Sequence, residues 1–487
     1  MVRVVLTFIH GVFVARLYGA EAYGIYTEGV AIVILLSAFA QVGLARSATR
    51  FVAAHMARNQ PSDIRNTLKI VLGISMPIAI GIGVMVSIKS DEMSMIFHEP
   101  VLASSFRVLG IAIPALTLAT LLAAFTQGFR RMHHKTIALD FFSPLIELIG
   151  IVLFTWLGMQ RISLPIAYVC AVVMSSILLI HFSRVDLRTL AAEFPQHAQD
   201  SSNLLLKPIL RYTMPVWGYE ILAMTTLRSG VLLLGLFASS TMVGIFGILQ
   251  KLVGFGGIFL LSTNAIFGPM VTDVIERQQF HELARLHKLS TRWILAVSVP
   301  MFLILVFFGD SILRFYGQVF VSGLSALFVL ISAAILDLST GTSGTILIMS
   351  GHPKYNVINE LVKLLIIVFL AILFIPKYGV LGIAYPIAIG TIIFCFLQIV
   401  EVWKLLGIHP YSKSLVKVAL ASGVMTAILG IWREFIMKGS DTWYLIILGS
   451  VFALTSYCVI LFVLGLEDNE IELLRVFQQR VVRILGA

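Results

Sequence analysis

The chain reads as an all-α integral membrane protein. About 14 transmembrane helices are expected, in two pseudo-symmetric six-helix lobes plus two C-terminal helices. Three observations predict this class. Hydrophobic residues make up 59% of the 487 and charged residues 12%, with a mean hydropathy of +0.97; a soluble domain carries about 25% charged residues. The apolar runs are long and continuous, as helices crossing a hydrocarbon core about 30 Å thick require, whereas a β-barrel would show short alternating segments. The chain also repeats itself at an offset of roughly 220 residues, as an internal parallel repeat would give. Ala15-Arg-Leu-Tyr-Gly19 with Gly24-Ile-Tyr26 reads like Leu236-Phe237 with Gly244-Ile-Phe246. Ile166-Ala-Tyr168 recurs as Ile383-Ala-Tyr385, and the turn Gln127-Gly-Phe-Arg-Arg131 has its counterpart in Ser350-Gly-His-Pro-Lys354. Pro77 and Pro300 each sit a few residues into an apolar run that follows a basic loop. The seam between two copies of a membrane bundle is where a transporter builds its substrate site.

Taken in order, the predicted spans are 2–17, 25–45, 68–88, 106–127, 136–157, 164–182, 212–236, 242–268, 291–309, 323–349, 355–375, 380–402, 415–435 and 443–465. The first is short: Arg3 to Arg16 rises about 18 Å. It also imitates the first two regions of a signal peptide, but the echo of 15–26 in the second half argues against cleavage there. Residues 1–183 form the first lobe, 184–211 a linker, 212–405 the second lobe, 406–466 two further spans and 467–487 an amphipathic tail. In that tail Ile471, Leu474, Phe477, Val481 and Ile484-Leu485 alternate with arginines, as in a helix lying on a leaflet surface.

A net charge of +10 in a soluble protein would suggest nucleic acid. Here the cations sit in short loops, where they set topology and meet anionic headgroups. Of the 35 basic residues, 24 fall on the side of the N-terminus and eight on the other. The positive-inside rule then places both termini in the cytoplasm. The three cysteines lie in separate apolar runs and no ligand cluster accompanies His133-His134, so neither a disulfide nor a metal site is expected. No nucleophile motif, phosphate-binding loop or ATPase domain is present, which argues against an enzyme and against a cofactor.

The remaining basic residues, Arg228, Lys251 and Lys363, lie within spans, where a charge costs roughly 2.5–3.5 kcal/mol on insertion scales and faces a cavity or a partner. Arg228 precedes the Ser239-Ser240 turn by as many residues as Lys251 follows it, which puts both about 17 Å from that turn. Two cations at one depth suit a shared anion such as a pyrophosphate, which Arg can grip bidentately. The alternative is separate pairing with acids; Glu220 shares Arg228's face but lies too far along it for direct contact. Lys363 follows Glu360 at a spacing that favours an internal ion pair. Asp140 and Glu147 lie seven residues apart on one helix face, with Pro144 between. They are candidates for a coupling cation, a proton or sugar hydroxyls; burial in a neutral form is the alternative. Glu28 and Asp337 are weaker candidates of the same kind. Arg46 and Arg50 could greet an anionic headgroup at the cytoplasmic entrance, or anchor the helix end among headgroups. Pro77, Pro144, Pro215 and Pro300 are expected bending points.

The stretch Ala15-Arg-Leu-Tyr-Gly-Ala-Glu-Ala-Tyr-Gly-Ile-Tyr26, with Gly43-Leu44 and Arg50-Phe-Val-Ala53, resembles the opening of polysaccharide-transport proteins. These are the O-antigen and exopolysaccharide flippases of the multidrug/oligosaccharidyl-lipid/polysaccharide exporter superfamily. Leu233-Leu-Gly-Leu-Phe237, Val243-Gly-Ile-Phe246, Ser350-Gly-His-Pro-Lys354, Asn359 and Ile375-Pro-Lys-Tyr-Gly-Val-Leu-Gly-Ile-Ala384 extend the resemblance over about 15–405. It implies a V-shaped pair of lobes around a cavity and transfer of undecaprenyl-pyrophosphate-linked sugars across the bacterial inner membrane by alternating access. The implied partners are that lipid-linked oligosaccharide, the phospholipid bilayer and a polysaccharide polymerase. Two departures stand out. The family's first helix usually begins further upstream, and Gly230 stands near where relatives often carry an acid before Leu-Leu-Gly, which puts cation coupling through that acid in doubt. A cation-coupled multidrug antiporter, a peptidoglycan-precursor (lipid II) flippase and a non-transporting synthase scaffold are the alternatives.

Overall fold

A computed structural model describes residues 2–58, 60–193, 202–437 and 442–464. Among them there are eighteen α-helices and no strand. In chain order these are α1 Val2–Gln41, α2 Leu44–Ala57, α3 Pro61–Ile88, α4 Ser90–Ile96, α5 Val101–Leu109, α6 Ala112–Gly128, α7 Met132–Lys135, α8 Ser143–Trp156 and α9 Ser163–Glu193. There follow α10 Ser202–Phe237, α11 Ser240–Glu276, α12 Phe280–Tyr316, α13 Leu324–Ser339, α14 Ser343–Met349, α15 Pro353–Tyr378, α16 Val380–Leu406, α17 Leu415–Ile431 and α18 Trp443–Val463.

Twelve of the described helical stretches are long and apolar enough to cross a bilayer, and α5 with α6, bent by 42°, make a thirteenth. The stretch Val5–Gln41 counts as one of the twelve, yet its 37 residues would rise about 55 Å, nearly twice a hydrocarbon core. Gly19, at φ 79°, ψ 176°, divides it into two helices. Only glycine enters that backbone region without strain. Counting its halves separately agrees with the 14 spans read from the sequence.

Several helices outrun their apolar cores. The segment read as a linker, 184–211, is helical at both ends: α9 continues to Glu193 and α10 begins at Ser202. Ion pairing supports the extension of α9, since the fully buried Asp186 meets Arg131 at 2.5 Å and His134 at 3.5 Å. The basic stretch after the second span is likewise the helix α2, joined to α1 by a sharp turn at Val42 and Gly43, both with positive φ. The amphipathic tail 467–487 lies outside the described residues.

A glycine, Gly19, makes the break inside α1, and the expected prolines lie within or at the start of helices. Pro77 and Pro300 sit inside α3 and α12. Pro144 starts α8, and a π-helical turn over Thr136–Phe142 leads directly into it. A helical proline loses its N–H and clashes with the carbonyl four residues back, here Asp140; a wider turn relieves that clash. The π-turn also changes the angular spacing between Asp140 and Glu147, so the shared face inferred from regular helical geometry does not carry across it.

The chain divides into two compact units. The first comprises Met1–Lys251, Phe315–Ala326 and Val357–Gly390. Its cores include one around Ile32, Phe106 and Val169 and one around Leu44, Val71 and Leu121. Within it, Gly24 and Gly244, counterparts in the repeat, pack on each other: a Cβ on Gly24 would lie 2.9 Å from the Gly244 nitrogen. Backbones meeting this closely are how small residues hold helices together in lipid.

The second unit comprises Leu252–Arg314, Leu327–Asn356 and Thr391–Ala487. It packs Phe308 against Met425, Leu429 and Tyr457, and Val271 against Ile346 and Val402. Its most polar interior lies where α13 breaks into α14 at Gly341, φ 59°. There Thr340 O and Ser343 Oγ each lie 3.2 Å from His287 Nε2. Gln398 Nε2 donates to Asn356 Oδ1, and Asn356 Nδ2 donates to the Gly344 carbonyl. Asp337 has the Cys395 thiol 3.8 Å from its Oδ1.

Candidate functional site: charges among apolar helices

Within the first unit the helices bring ionisable and hydroxyl side chains together around Glu147 on α8. Tyr26 donates its hydroxyl to Glu147 Oε1, and His10 Nε2 lies 3.2 Å from the same oxygen. Both come from α1, one from each side of the Gly19 break, so the break is what lets a single stretch of chain supply both. The Tyr26 ring meets Tyr168 edge-on at 6.3 Å and lies 5.8 Å from His10. Tyr23 stands one turn before Tyr26, and Lys251 Nζ sits 5.1 Å from its ring centroid. Such a cation–π contact is worth about 0.5–2 kcal/mol, more when desolvated. Lys251 also acts electrostatically on Glu147, and Arg228 acts on Tyr168. Gly11 packs against the Tyr316 ring, which a Cβ there would approach to 3.2 Å, with Lys251 Nζ 3.9 Å away.

The equal depth expected of Arg228 and Lys251 has a direct structural counterpart. Gln250 Nε2, on the residue before Lys251, donates at 3.0 Å to the carbonyl of Leu227, the residue before Arg228. The two cations therefore leave neighbouring helices at one level and border the same cluster of tyrosines. Chemically, the Glu147 carboxyl is held in place by a phenol and an imidazole. An incoming anion would meet cations already positioned and a carboxylate to compete with.

The other expected residues have surroundings of their own. Glu220 pairs with Arg46 rather than standing alone on its face, Arg46 Nε to Glu220 Oε1 being 2.6 Å. Arg46 also lies 6.0 Å from the Tyr219 ring, and Arg50 stacks over Tyr212 at 4.2 Å. Ser47 and Thr213 share a hydrogen bond at 2.5 Å, so α2 is fastened to α10 along its length. The two arginines thus have protein partners, in addition to any role at an entrance. Glu360 is buried and acts on Tyr219; Lys363 lays its stem against Gly390. Asp140 is half-buried in the π-turn. Glu28 is fully buried beside Gly235, whose missing side chain makes room for its carboxylate.

Sequence reasoning missed His10, Tyr23, Tyr26 and Tyr168 as members of the cluster. Their signal was present in part: Tyr23 and Tyr26 lie in the repeated Gly24-Ile-Tyr26 motif and Tyr168 ends the repeated Ile166-Ala-Tyr168. Nothing in spacing alone joins residues 10, 26 and 147.

The arrangement can be set beside known proteins. The family model described as "Polysaccharide biosynthesis protein" matches residues 1–273. The capsular polysaccharide biosynthesis protein CapF of Staphylococcus aureus is 25% identical over 175 residues, 35% of this chain; the match spans 44% of that relative's length. Among solved structures, the lipid II flippase MurJ in an inward closed conformation superposes with a TM-score of 0.73 at 15% identity, covering 94% of this chain and 97% of that one. An inward-facing multidrug resistance MATE family transporter of the MOP superfamily gives 0.69 at 16% identity, over 83% and 95%. At such identities the structures establish the fold, a multi-pass transporter fold. The family rests on the sequence match: this chain belongs to the polysaccharide biosynthesis protein family.

Proposed function

We propose that this protein is a flippase for an undecaprenyl-pyrophosphate-linked oligosaccharide, working in a bacterial inner membrane with both termini in the cytoplasm. The observation that carries the proposal is the placing of Arg228 and Lys251 at one level on neighbouring helices, beside Glu147 and the tyrosines. A cation among membrane helices is costly and faces a cavity or a partner, and two at one level suit the two negative charges of a diphosphate. In this reading Glu147 holds Lys251 while no substrate is bound, and the diphosphate takes its place. The sugar travels through the protein while the lipid tail stays in the bilayer. Lys363 adds a further cation along the route, and Arg46 and Arg50 receive the headgroup at the cytoplasmic side. Asp140, Glu147, Glu220 and Glu360 serve sugar contacts or coupling. An inside-negative potential favours outward movement of the dianion by about 2.3 kcal/mol per charge per 100 mV.

Deletion in the parent strain tests this. Lipid-linked oligosaccharide should accumulate on the inner leaflet while surface polysaccharide falls. Arg228→Ala at normal protein level should reproduce most of that loss; normal surface polysaccharide would remove Arg228 from the mechanism. Rescue of a strain depleted of its peptidoglycan-precursor flippase, or robust export of cationic dyes, would instead support the alternatives.

A further inference from the structure

The two copies of the repeat build a pocket at the same place, and only one of them is open. In the first copy it is bounded by α1, the start of α5 and the start of α9, and its volume is about 20 Å³, room for one water. In the second it is bounded by the turn from α10 to α11, the stretch leading into α13, and the turn from α15 to α16. There the volume is about 670 Å³, within the range of small-molecule sites. The correspondence is residue by residue. Ile25 and Ile245 line the two pockets, one residue past the paired glycines Gly24 and Gly244. Val101 and Ser104 line the first as Val319 and Ser322 line the second.

The side chains that differ explain the opening. In the first copy Arg161, which lines the pocket, is tied to Glu21 by an ion pair of 2.8 Å. Glu21 stands three residues before Gly24, so its counterpart, three before Gly244, is Thr241; Arg161 stands five before Ile166, so its counterpart, five before Ile383, is Tyr378. Arg107, three residues past Ser104, is held by Asp91 at 2.9 Å, and its counterpart is Ser325. At each of these positions a charge tied to another charge has become a hydroxyl that faces the cavity.

We infer that the second-copy pocket is a saccharide-binding vestibule. It would take one or two sugar rings of the translocated oligosaccharide on the side opposite the termini, an inference that rests on the flippase reading above. Ser239, Thr241, Ser322, Ser325 and Tyr378 present hydroxyls, each able to donate and accept, to a polyhydroxylated ligand. Ser322 donates to the Val319 carbonyl and keeps its lone pairs for an incoming hydroxyl. Phe237 and Tyr378, both more than two-fifths exposed, offer ring faces to the C–H face of a sugar. Lys377, whose ammonium lies 5.2 Å from the Tyr378 ring centroid, stands on the rim for an acidic substituent. The exchange of paired charges for uncharged hydroxyls is what separates a sugar from an ionic ligand here.

Cysteine accessibility tests this in the full-length chain, on a background with Cys170, Cys395 and Cys458 changed to Ala that still supports export. Ser325→Cys should react with a membrane-impermeant maleimide at least threefold more slowly in cells making the lipid-linked oligosaccharide than in cells lacking its initiating glycosyltransferase. The repeat-unit oligosaccharide released from the strain's own polysaccharide should slow the same reaction in membranes, while Ser104→Cys in the first copy is unaffected. A labelling rate at Ser325→Cys indifferent to both, or slowed equally at Ser104→Cys, overturns the vestibule. As a second arm, Thr241→Glu with Tyr378→Arg rebuilds the ion pair of the first copy. It should cut export at least fivefold at normal protein level, whereas Thr241→Ser leaves it near wild type; wild-type export by the double variant counts against the proposal. Absence of any accumulated lipid-linked sugar in the deletion strain would instead defeat the flippase reading beneath it.

Discussion

The two copies of the repeat meet at a pair of equivalent glycines and divide their chemistry. Gly24 and Gly244 occupy equivalent places and pack on one another, so the helices there approach as near as backbones allow. Around that shared contact the copies diverge. The first supplies Glu147, with His10 and Tyr26 holding it, and has a small pocket where Arg161 pairs with Glu21. The second supplies Lys251 and Arg228 and has a larger pocket lined by hydroxyls. A duplication that kept packing and changed charge has turned a symmetric scaffold into a polar one. Packing residues answer to the neighbouring helix and so resist change, whereas a charged position answers to whatever ligand or ion the site must hold.

The sharpest way to break this picture is at the shared contact. Gly24→Leu should abolish accumulation of folded protein, because its side chain would enter the backbone of α11 at Ser240 and Gly244. The milder Gly24→Ala should cost about 1–3 kcal/mol, the usual penalty for overpacking. Gly73→Ala, where an added Cβ meets nothing within 4 Å, should be neutral or stabilising by up to about 1 kcal/mol. Thermal unfolding in detergent compares the two, and equal stability would mean that the counterpart glycines are not the constraint.

Next in size is the charge division. Lys251→Ala should lower export at least tenfold, equivalent to about 1.4 kcal/mol of lost transition-state stabilisation. Lys251→Arg should restore part of it, since charge is kept while the contact with Tyr23 changes. Surface polysaccharide normalised to protein level reads both. If Glu147→Gln left export unchanged while Lys251→Ala abolished it, the carboxylate would hold no place in the exchange proposed here.

Smaller effects are expected where charges serve packing. Arg46 and Glu220 pair at a half-exposed position, 55% and 22% exposed. A double-mutant cycle should give about 0.2–1 kcal/mol for their coupling. Smallest of all is Arg161→Ala. Its pair with Glu21 is about half exposed on both sides, so stability should shift by under about 1 kcal/mol, while a probe reaching Ser104→Cys should gain access to the first pocket.

Much of the scaffold was legible in the sequence, since a bilayer permits few backbones and an apolar run of helical length has little choice of structure. The repeat showed which segments correspond, and the depth of Arg228 and Lys251 followed from counting along antiparallel helices. What was hidden depended on contacts between distant segments. The meeting of His10 with Glu147 and of Arg46 with Glu220 comes from helix packing, which single-sequence spacing does not encode. The π-turn before Pro144 was hidden too: proline announced a bend there, and the structure answered with a wider turn that alters the register of Asp140. Charge also misled at the edges. The polar stretch 184–211 looked like a linker, but Asp186 finds Arg131 and His134, and the helix runs on.

In the proposed function the cations of the second copy carry an anionic lipid-linked sugar across the membrane. The most direct measurement reconstitutes the purified protein in liposomes holding a fluorescent undecaprenyl-pyrophosphate-linked oligosaccharide and follows its transfer between leaflets. Wild-type protein should move the lipid, and Lys251→Ala and Arg228→Ala should each slow that movement at least tenfold at equal protein load. Movement unchanged in both variants would remove Arg228 and Lys251 from the transport path.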